Sequence, residues 1–480
     1  MSVMDAISRF RNPNIEGFTP LIPAALTERL VLSENESMTD YGNAQRFIHQ
    51  NGKNVCYVGG MWYLWDGRMW RPDTTNQIEV FAQNTARSIF NEAQQVTDAK
   101  YRADLQRWGS ASLNHARYTK MLKSASTYLP VSLDLFDTDK HLLGVENGTI
   151  DLKTGELLVS RREDRITKLC NVRFDPDARS EQWDAFLDRI FDGNVDLIRY
   201  VQKMVGYCLT GIVSEKCFFI LLGPKGDNGK SVFMNVVMWL MGDYAIDMPI
   251  DSLLQRKPGA SSNDLVRLKG SRLVSCSEAN RQYYFDEALV KRLTGSDPIT
   301  ARALYKEYVT FRPEGKILIA TNRIPKFDTA DIAFDNRVRK IPFDVSIPKE
   351  EQDPNLYDKL MEECSGILTW AVEGCKMWQQ DGLGDVPVTI QTESVNFQRS
   401  SIDDFIRTNC DVGDGFRCKA HDLHTAYLGY HQLMADGTDP ICFNVFVVEL
   451  GRRGIPYSHT RDGNYRVGIA PKIWREPTEQ

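Results

Sequence analysis

The sequence predicts an α/β protein with a parallel sheet at its centre, an α+β region before this sheet and a small domain after it. The first observation is an alternation of strand-length apolar runs with helical patterns, which continues to about residue 345. Such alternation is typical of a parallel sheet with crossover helices. The second is the unbroken apolar run 217–222, as expected for a strand buried on both faces. A chain of 480 residues has room for two to four domains.

The bulk composition is that of a soluble globular protein, with 42% hydrophobic and 25% charged residues. No apolar stretch approaches the roughly 20 residues that span a bilayer, so we expect a cytoplasmic protein with no membrane partner. The net charge of −6 argues against a surface that coats duplex DNA through charge alone. The cysteines lack the paired spacing of zinc sites, which favours reduced thiols.

Changes in pattern divide the chain into an irregular lead-in, an α+β domain, the α/β domain and a last domain, at residues 1–50, 51–175, 176–390 and 396–480. In the α+β domain, Val55–Trp70 predicts a hairpin with an Asp-Gly turn and aromatic residues on both arms. Residues 77–128 predict several helices. A second strand-turn-strand covers 142–159, and Asp175-Pro176-Asp177 ends this domain.

Helices flank the α/β domain, and a hairpin ends the last domain. Trp183–Ile190 and Asp196–Cys208 predict the two opening helices, and residues 355–379 predict one long closing helix. The last domain is expected to contain two helices and then a hairpin at Tyr457–Ile469 with an Asp-Gly-Asn turn. That order predicts a winged helix.

A phosphate-binding loop is predicted between the buried strand 217–222 and the helix after it. The residues expected to bind ATP are Gly223, Pro224, Lys225, Gly226, Asp227, Asn228, Gly229, Lys230, Ser231 and Val232. Glycines let backbone N–H groups close around phosphate oxygens, and the amino end of the helix adds a positive partial charge. Lys230 would reach the β- and γ-phosphates of ATP, and the Ser231 hydroxyl would bind Mg²⁺.

The spacing of this loop is irregular, because Pro224 stands where the usual pattern has its first glycine and Gly223 lies one residue early. Either the loop is one residue longer, or Pro224 itself shapes the turn. A chance glycine-rich turn is the competing interpretation, which the flanking strand and helix disfavour.

Polar residues end the next two predicted strands of the sheet. Glu278 follows the strand that begins at Arg272, and Asn322 follows the strand that begins at Lys316. Glu278 would bind the metal, act as the general base, or do both; alternatively it is a glutamate at a strand end without a role. Asn322 would orient the attacking water and sense the γ-phosphate, or else form a strand-end turn.

The last candidate residues are two arginines near residue 338 and the residues of a predicted hairpin. Arg337, with Arg339 as the second choice, would stabilise transition-state charge at the γ-phosphate of a neighbouring subunit; surface ion pairs are the alternative. Residues 299–311 predict a hairpin with Tyr305 and Lys306 at its tip, where they would stack on a base and contact a phosphate of DNA. Arg302, on the first arm, is a further DNA-binding candidate. A solvated hairpin tip is the competing interpretation.

Taken in this order, these residues resemble those of superfamily 3 helicases, and most closely the phage and plasmid primase–helicases, a family that includes the poxvirus primase–helicases. The stretches that carry the resemblance are Asn228–Ser231, Asn263–Val274 leading to Glu278, Leu293–Arg302, Ala320–Asn322 and Arg337–Phe343. Upstream, Trp62–Trp70 and Asn147–Glu156 resemble the helicase-associated domain of that family. The last domain is similar to the winged-helix tail of some members, so the resemblance covers about residues 50 to 475.

The resemblance implies an AAA+ ring of six subunits that uses ATP and Mg²⁺ to move 3′→5′ on single-stranded and forked DNA during replication of a phage, plasmid or similar element. Lys306 would be the central-channel lysine, Asn322 the sensor and Arg337 the finger that reaches into the next subunit. Because only about 50 residues precede the helicase-associated domain, we expect no priming activity, and a separate primase or polymerase as a partner.

Two other functions remain open. One is an ATP-switched replication initiator or loader that acts through the winged helix. The other is a defence or packaging ATPase on the same core, against which the signature at Thr294–Arg302 argues, because a generic AAA+ protein needs no such hairpin.

Overall fold

The computed structural model describes residues 32–223, 226–255, 263–277, 284–302, 308–322, 332–387, 401–434, 443–460 and 463–472. Its contacts divide the chain into two compact units, Met1–Pro387 and Val388–Gln480. The predicted boundary near residue 175 stays a prediction. No helix within the described residues is long and apolar enough to cross a membrane.

The first unit begins with a helical bundle, whose members are α1 Glu34–Ser37, α2 Asp40–Asn51, α3 Gln77–Gln94, α4 Ala99–Ser112 and α5 His115–Ser126. The bundle confirms the helices predicted over 77–128. Its core is made of small and aromatic side chains such as Ala44, Phe47 and Ala82, each fully buried. Apolar residues at helical spacing give each helix one face that packs in this way.

A small antiparallel sheet follows α2 along the chain, with strands β1 Val55–Val58, β2 Met61–Trp65 and β3 Trp70–Pro72. The predicted hairpin is therefore a three-stranded meander. Its Asp-Gly turn lies between β2 and β3 as predicted. A second turn, at Gly59 and Gly60, separates β1 from β2, and both glycines have the positive φ that such a turn requires.

A second antiparallel sheet contains β4 Leu142–Val145, β5 Gly148–Asp151 and β6 Glu156–Leu158. The predicted strand-turn-strand is again three strands, because the chain turns between Val145 and Gly148. Leu143 and Ile150 are fully buried in one core with Trp183 and Leu318 of the α/β region. This sheet therefore packs against the same hydrophobic core as the parallel sheet.

The centre of the first unit is a five-stranded sheet in which all neighbouring strands are parallel, in the order β13, β7, β12, β9, β8. Its strands are β7 Phe218–Leu222, β8 Ala245–Asp247, β9 Leu273–Ser277, β12 Lys316–Thr321 and β13 Val338–Pro342. All five residues of β7 are buried, as its apolar run predicts. The predicted parallel sheet is confirmed.

The helices of this region are α6 Glu181–Ile190, α7 Val195–Leu209, α8 Lys230–Met241, α9 Asn263–Val266, α10 Glu287–Thr294, α11 Ile332–Asp335, α12 Leu356–Glu362 and α13 Cys364–Asp381. Helices α6 and α7 confirm the two predicted opening helices. Short 3-10 turns lie at Leu133–Leu135, Arg162–Asp164, Gly242–Tyr244, Ile250–Leu253 and Lys349–Glu351.

The predicted long helix over 355–379 is two helices, α12 and α13, so that prediction was wrong in one respect. The helices meet at Glu363, whose φ of −98° and ψ of 12° leave the helical region. The Glu363 carboxylate accepts hydrogen bonds from the backbone N–H groups of Gln182 and Trp183, at 2.9 and 3.2 Å. It thereby satisfies two free N–H groups in the first turn of α6.

The predicted hairpin at 299–311 is confirmed in its arms, β10 Ile299–Arg302 and β11 Tyr308–Phe311, which pair antiparallel. One face carries the buried residues Ile299, Ala301 and Phe311. The opposite face carries exposed residues, as the alternation of a half-buried strand requires. The tip of the hairpin lies outside the described residues.

The second unit contains α14 Ser401–Asn409, β14 Cys410–Lys419, α15 Ala420–Met434, α16 Phe443–Arg452, β15 Tyr457–Thr460 and β16 Gly463–Pro471. Its three strands form an antiparallel sheet in the order β14, β16, β15, so the predicted hairpin at 457–469 is confirmed. Phe405, Tyr427 and Phe446 are fully buried between the helices. The winged-helix assignment stays a prediction.

Candidate nucleotide-binding site

The predicted phosphate-binding loop connects the carboxyl end of β7 to the amino end of α8. Helix α8 begins at Lys230, directly after Gly229, whose φ is +80°. A side chain at position 229 would place its Cβ 2.5 Å from Ile190 of α6. Only glycine therefore fits there, because α6 packs close beneath the start of α8. Pro224 and Lys225 lie outside the described residues.

The Lys230 amine lies at the centre of the site, and three oxygen acceptors among the described residues hold it. Its Nζ donates to the backbone carbonyl of Gly223 at 3.0 Å, to Asn228 Oδ1 at 3.1 Å and to Asn322 Oδ1 at 2.9 Å. Lys230 is 7% exposed and Asn228 is 4% exposed. Asn322 directly follows β12, which pairs with β7 in parallel. The structure thus brings together the loop lysine and the predicted sensor.

The structure gives a reason for a glycine at position 223, one residue earlier than in the usual loop pattern. A Cβ at this position would lie 2.1 Å from Asn228 Nδ2 and 2.7 Å from Lys230 Nζ. Because no side chain fits there, the early glycine provides space for the lysine amine and the Asn228 carboxamide. The Gly223 N–H donates to the Thr321 carbonyl at 3.3 Å, which extends the ladder between β7 and β12 by one residue.

The segment after β13 also contacts the loop, and sequence reasoning missed it. The Ile347 N–H donates to the Asp227 carbonyl at 2.8 Å, and Ser346 Oγ lies 3.3 Å from the Gly226 carbonyl. Asp227 has a φ of +54°, which is uncommon for a residue with a side chain. No motif marks positions 346 and 347; only the pairing of β13 beside β7 places them here.

The residues present at this site fit a nucleoside triphosphate with Mg²⁺. The amino end of α8 and the Lys230 ammonium supply the positive charge that phosphate oxygens require. Ser231 lies in the first turn of α8 and is exposed, so its hydroxyl is accessible. Within the described residues no group of three or more His, Cys, Asp or Glu side chains could hold a metal ion. Magnesium sites often rely on phosphate oxygens and water with few protein ligands. Glu278, the predicted metal ligand or base, lies outside the described residues.

Arg337 and Arg339 lie away from the phosphate-binding loop of their own chain. Arg337 precedes β13, which pairs with β7 from Val338–Phe218 to Pro342–Leu222. The loop follows Leu222, so it lies at the carboxyl edge of the sheet, whereas Arg337 lies at the amino edge. At about 3.3 Å per residue, this strand separates them by roughly 15 Å. An Arg337 Nη1 hydrogen bond to the Ala333 carbonyl holds the guanidinium against α11.

The exposed face of the β10–β11 hairpin carries one predicted DNA-binding residue, Arg302. Its guanidinium carbon lies 5.3 Å from the centre of the Tyr308 ring, and Tyr308 is 66% exposed. A cation–π interaction at a solvent-exposed site contributes only a modest attraction. Sequence reasoning did not single out Tyr308. Tyr305 and Lys306 lie outside the described residues.

Comparison with protein families gives two matches. Residues 44–192 match the family described as D5 N terminal like. Residues 221–337, which include the loop, match a family of unknown function.

Viral proteins are among the curated relatives. "Putative helicase L207/L206" of Acanthamoeba polyphaga mimivirus is 27% identical over 312 residues, which are 60% of this chain and 31% of that protein. "Putative helicase 121R" of Invertebrate iridescent virus 3 is 26% identical over 278 residues, 55% of this chain and 29% of that protein. "Putative primase C962R" of African swine fever virus (isolate Warthog/Namibia/Wart80/1980) is 26% identical over 238 residues, 47% of this chain and 24% of that protein.

The chain thus spans less than a third of the length of each of these relatives. Together with the match at residues 44–192, they support a relationship to the D5-like primase–helicases. Among solved structures, the match to the apo C-terminal region of NrS-1 extends over 88% of this chain and 97% of the NrS-1 chain, with 8% sequence identity and a TM-score of 0.44.

Proposed function

We propose that this chain is an ATP-dependent DNA helicase of superfamily 3, an AAA+ motor that moves 3′→5′ on single-stranded and forked DNA. It acts as a ring, with six subunits as the expected number, in replication of a phage, plasmid or other mobile element in the cytoplasm of the host cell. A separate primase or polymerase supplies the primed synthesis. The names of the viral relatives, helicase and primase, support an enzyme of DNA replication.

The observation that carries this proposal is the 2.9 Å hydrogen bond from Lys230 Nζ to Asn322 Oδ1. It joins the phosphate-binding loop after β7 to the end of the adjacent strand β12. In P-loop enzymes the lysine contacts the β- and γ-phosphates. A neighbouring carboxamide can then orient the attacking water. Bound ATP with Mg²⁺ supplies the phosphoanhydride whose hydrolysis drives movement, with Ser231 and Glu278 as the residues proposed to hold the metal.

The position of the arginines supports a site shared between subunits. Arg337 lies at the amino end of the sheet, roughly 15 Å from the loop of its own chain, and Arg339 lies two residues further along β13. An arginine presented by a neighbouring subunit is an established way to stabilise charge on a transferring phosphoryl group. Arg337 is the proposed finger, and Arg339 is the second choice.

Replacement of Lys230 tests the proposed ATPase directly. Lys230→Ala removes the positive charge that faces the phosphates, so ATP hydrolysis should fall to background, with or without single-stranded DNA. Phosphate release measures this. Lys359→Ala is the matched control, because Lys359 pairs with Asp353 at the surface, 2.6 Å away, where an ion pair contributes little. Hydrolysis by Lys230→Ala within a few-fold of wild type would refute the proposed ATPase.

A second candidate is an ATP-switched replication initiator or loader that binds duplex DNA through the second unit. The observation in its favour is the order helix, strand, helix, helix, strand, strand, which is compatible with the predicted winged helix. Basic and aromatic residues share its sheet: the Arg417 guanidinium carbon lies 4.4 Å from the centre of the Tyr465 ring, and Lys419 pairs with Tyr465. Sequence-specific duplex binding without unwinding would favour this candidate over the motor.

A further inference from the structure

The Asn228 side chain makes a contact within the predicted phosphate-binding loop that is distinct from the backbone contacts such loops make. Its Oδ1 accepts a hydrogen bond from Lys230 Nζ at 3.1 Å, and its side chain is almost fully buried. A lysine ammonium has three N–H donors. Gly223 O, Asn228 Oδ1 and Asn322 Oδ1 already occupy three hydrogen bonds from it. A phosphate oxygen that accepts one of these three hydrogen bonds must therefore replace one of these acceptors.

The three acceptors differ in how easily they can be replaced. The Gly223 carbonyl belongs to backbone that is tied to β12 through the Thr321 carbonyl. Asn228 is fixed by packing, because its Nδ2 fills the space where a Cβ on Gly223 would lie, at 2.1 Å. Asn322 is exposed and follows the last residue of its strand. Asn322 is thus the most accessible of these three acceptors to an incoming phosphate, whereas Gly223 and Asn228 contact the amine from the buried side of the site.

We propose that Asn228 is the positioning residue that aims the Lys230 ammonium at the phosphates while Asn322 is exchanged for a phosphate oxygen. A carboxamide suits this role because it is neutral. It accepts a hydrogen bond without cancelling the positive charge that the phosphates need, as a carboxylate at the same place would. The inference rests on the proposed function, since it takes a nucleoside triphosphate as the ligand.

The test is a double-mutant cycle on binding of the non-hydrolysable ATP analogue AMP-PNP with Mg²⁺, measured by calorimetric titration. Asn228→Ala should weaken binding about tenfold, the value of one hydrogen bond to a charged group. In a Lys230→Met background, the same Asn228→Ala change should have almost no further effect, because Asn228 acts through the lysine. A residue that only shapes the loop would weaken binding equally in both backgrounds, and that result would overturn the inference.

Two further variants keep the test decisive. Asn228→Asp has nearly the same shape as the wild type, so the fold is kept, and its carboxylate should weaken binding more than tenfold by pairing with Lys230. AMP-PNP binding by Asn228→Asp as tight as that of the wild type would also overturn the inference. Asn171→Ala is the matched control, because the exposed Asn171 amide donates to the Trp239 carbonyl near the other end of α8. Its AMP-PNP affinity should equal that of the wild type.

The outcomes separate this inference from the proposed function. If Lys230→Met alone leaves AMP-PNP binding unchanged, the proposed nucleotide site itself is refuted. If Lys230→Met weakens binding and the two substitutions are additive, the nucleotide site stands and only the role of Asn228 is refuted.

Discussion

Lys316, the first residue of β12, is a buried lysine at the amino edge of the parallel sheet. It is 1% exposed, and its Nζ donates to the carbonyls of Thr210, Ile212 and Glu314. The amine also lies 4.9 Å from the centre of the Tyr207 ring. These contacts tie the end of α7 to the strand that carries Asn322 at its other end. Burial lowers the pKa of Lys316 to about 7, from an ordinary value of 10.5.

This pKa predicts how stability changes with pH. Between about pH 7 and the ordinary lysine value, the unfolded chain binds the proton and the folded chain does not. The free energy of unfolding of the wild type should therefore rise with pH in that window, relative to Lys316→Met, with a limiting slope of about 1.4 kcal/mol per pH unit. Unfolding in urea at several pH values measures this. Parallel pH profiles for the two proteins would contradict it, and Lys359→Met controls for an exposed lysine.

The residues of the site differ in how far the sequence predicts them. Lys230 and Asn322 were predictable because the loop that carries Lys230 follows the buried strand β7 and Asn322 directly follows β12. Parallel strands bring their carboxyl ends to one edge of the sheet. The contacts of Ser346 and Ile347 with the loop were not, because they engage backbone carbonyls of the loop and depend on where β13 lies in the sheet. The sequence pattern predicts which side chains supply the chemistry of the site. Contacts made through the backbone can be predicted only when the order of the strands in the sheet is known.

The elements were predicted best where apolar periodicity alone sets their bounds, and worst where a tertiary contact or a glycine changes those bounds. Helices α12 and α13 read as a single helix because their apolar spacing continues across Glu363. The break follows from a tertiary contact, the bonding of Glu363 to the N–H groups of α6. Strand β14 was not predicted because Gly413 and Gly415 interrupt its alternation, and its pairing with β16 shifts register between Val412 and Arg417.

A substitution in the β10–β11 hairpin should abolish unwinding without abolishing ATP hydrolysis. Lys306→Ala removes the proposed channel contact with a DNA phosphate and leaves the phosphate-binding loop intact. The variant should hydrolyse ATP at close to the wild-type rate and lose unwinding of forked DNA, followed by strand-displacement fluorescence. Lys349→Ala, at an exposed lysine, removes the same charge elsewhere and should unwind normally. Normal unwinding by Lys306→Ala would show that the hairpin lysine has no part in movement.

For the molecule as a whole, the sheet register makes assembly a requirement of the proposed mechanism. Lys230 and Asn322 lie at the carboxyl edge of the sheet, and Arg337 precedes β13 at the amino edge. A single chain therefore cannot bring Arg337 to the phosphates that its own Lys230 would contact. In the proposed mechanism a second copy of the chain presents its Arg337 instead, and repetition of that contact would close a ring.

The most direct test of this account is the mass of the assembly, measured by native mass spectrometry with AMP-PNP, Mg²⁺ and a single-stranded oligonucleotide. We predict a closed assembly, with six chains as the expected number, that binds one oligonucleotide. The Lys230→Ala variant should assemble less readily under the same conditions, because nucleotide at the shared site holds the subunits together. A wild-type monomer under those conditions would contradict the motor, because Arg337 would then have no site to complete.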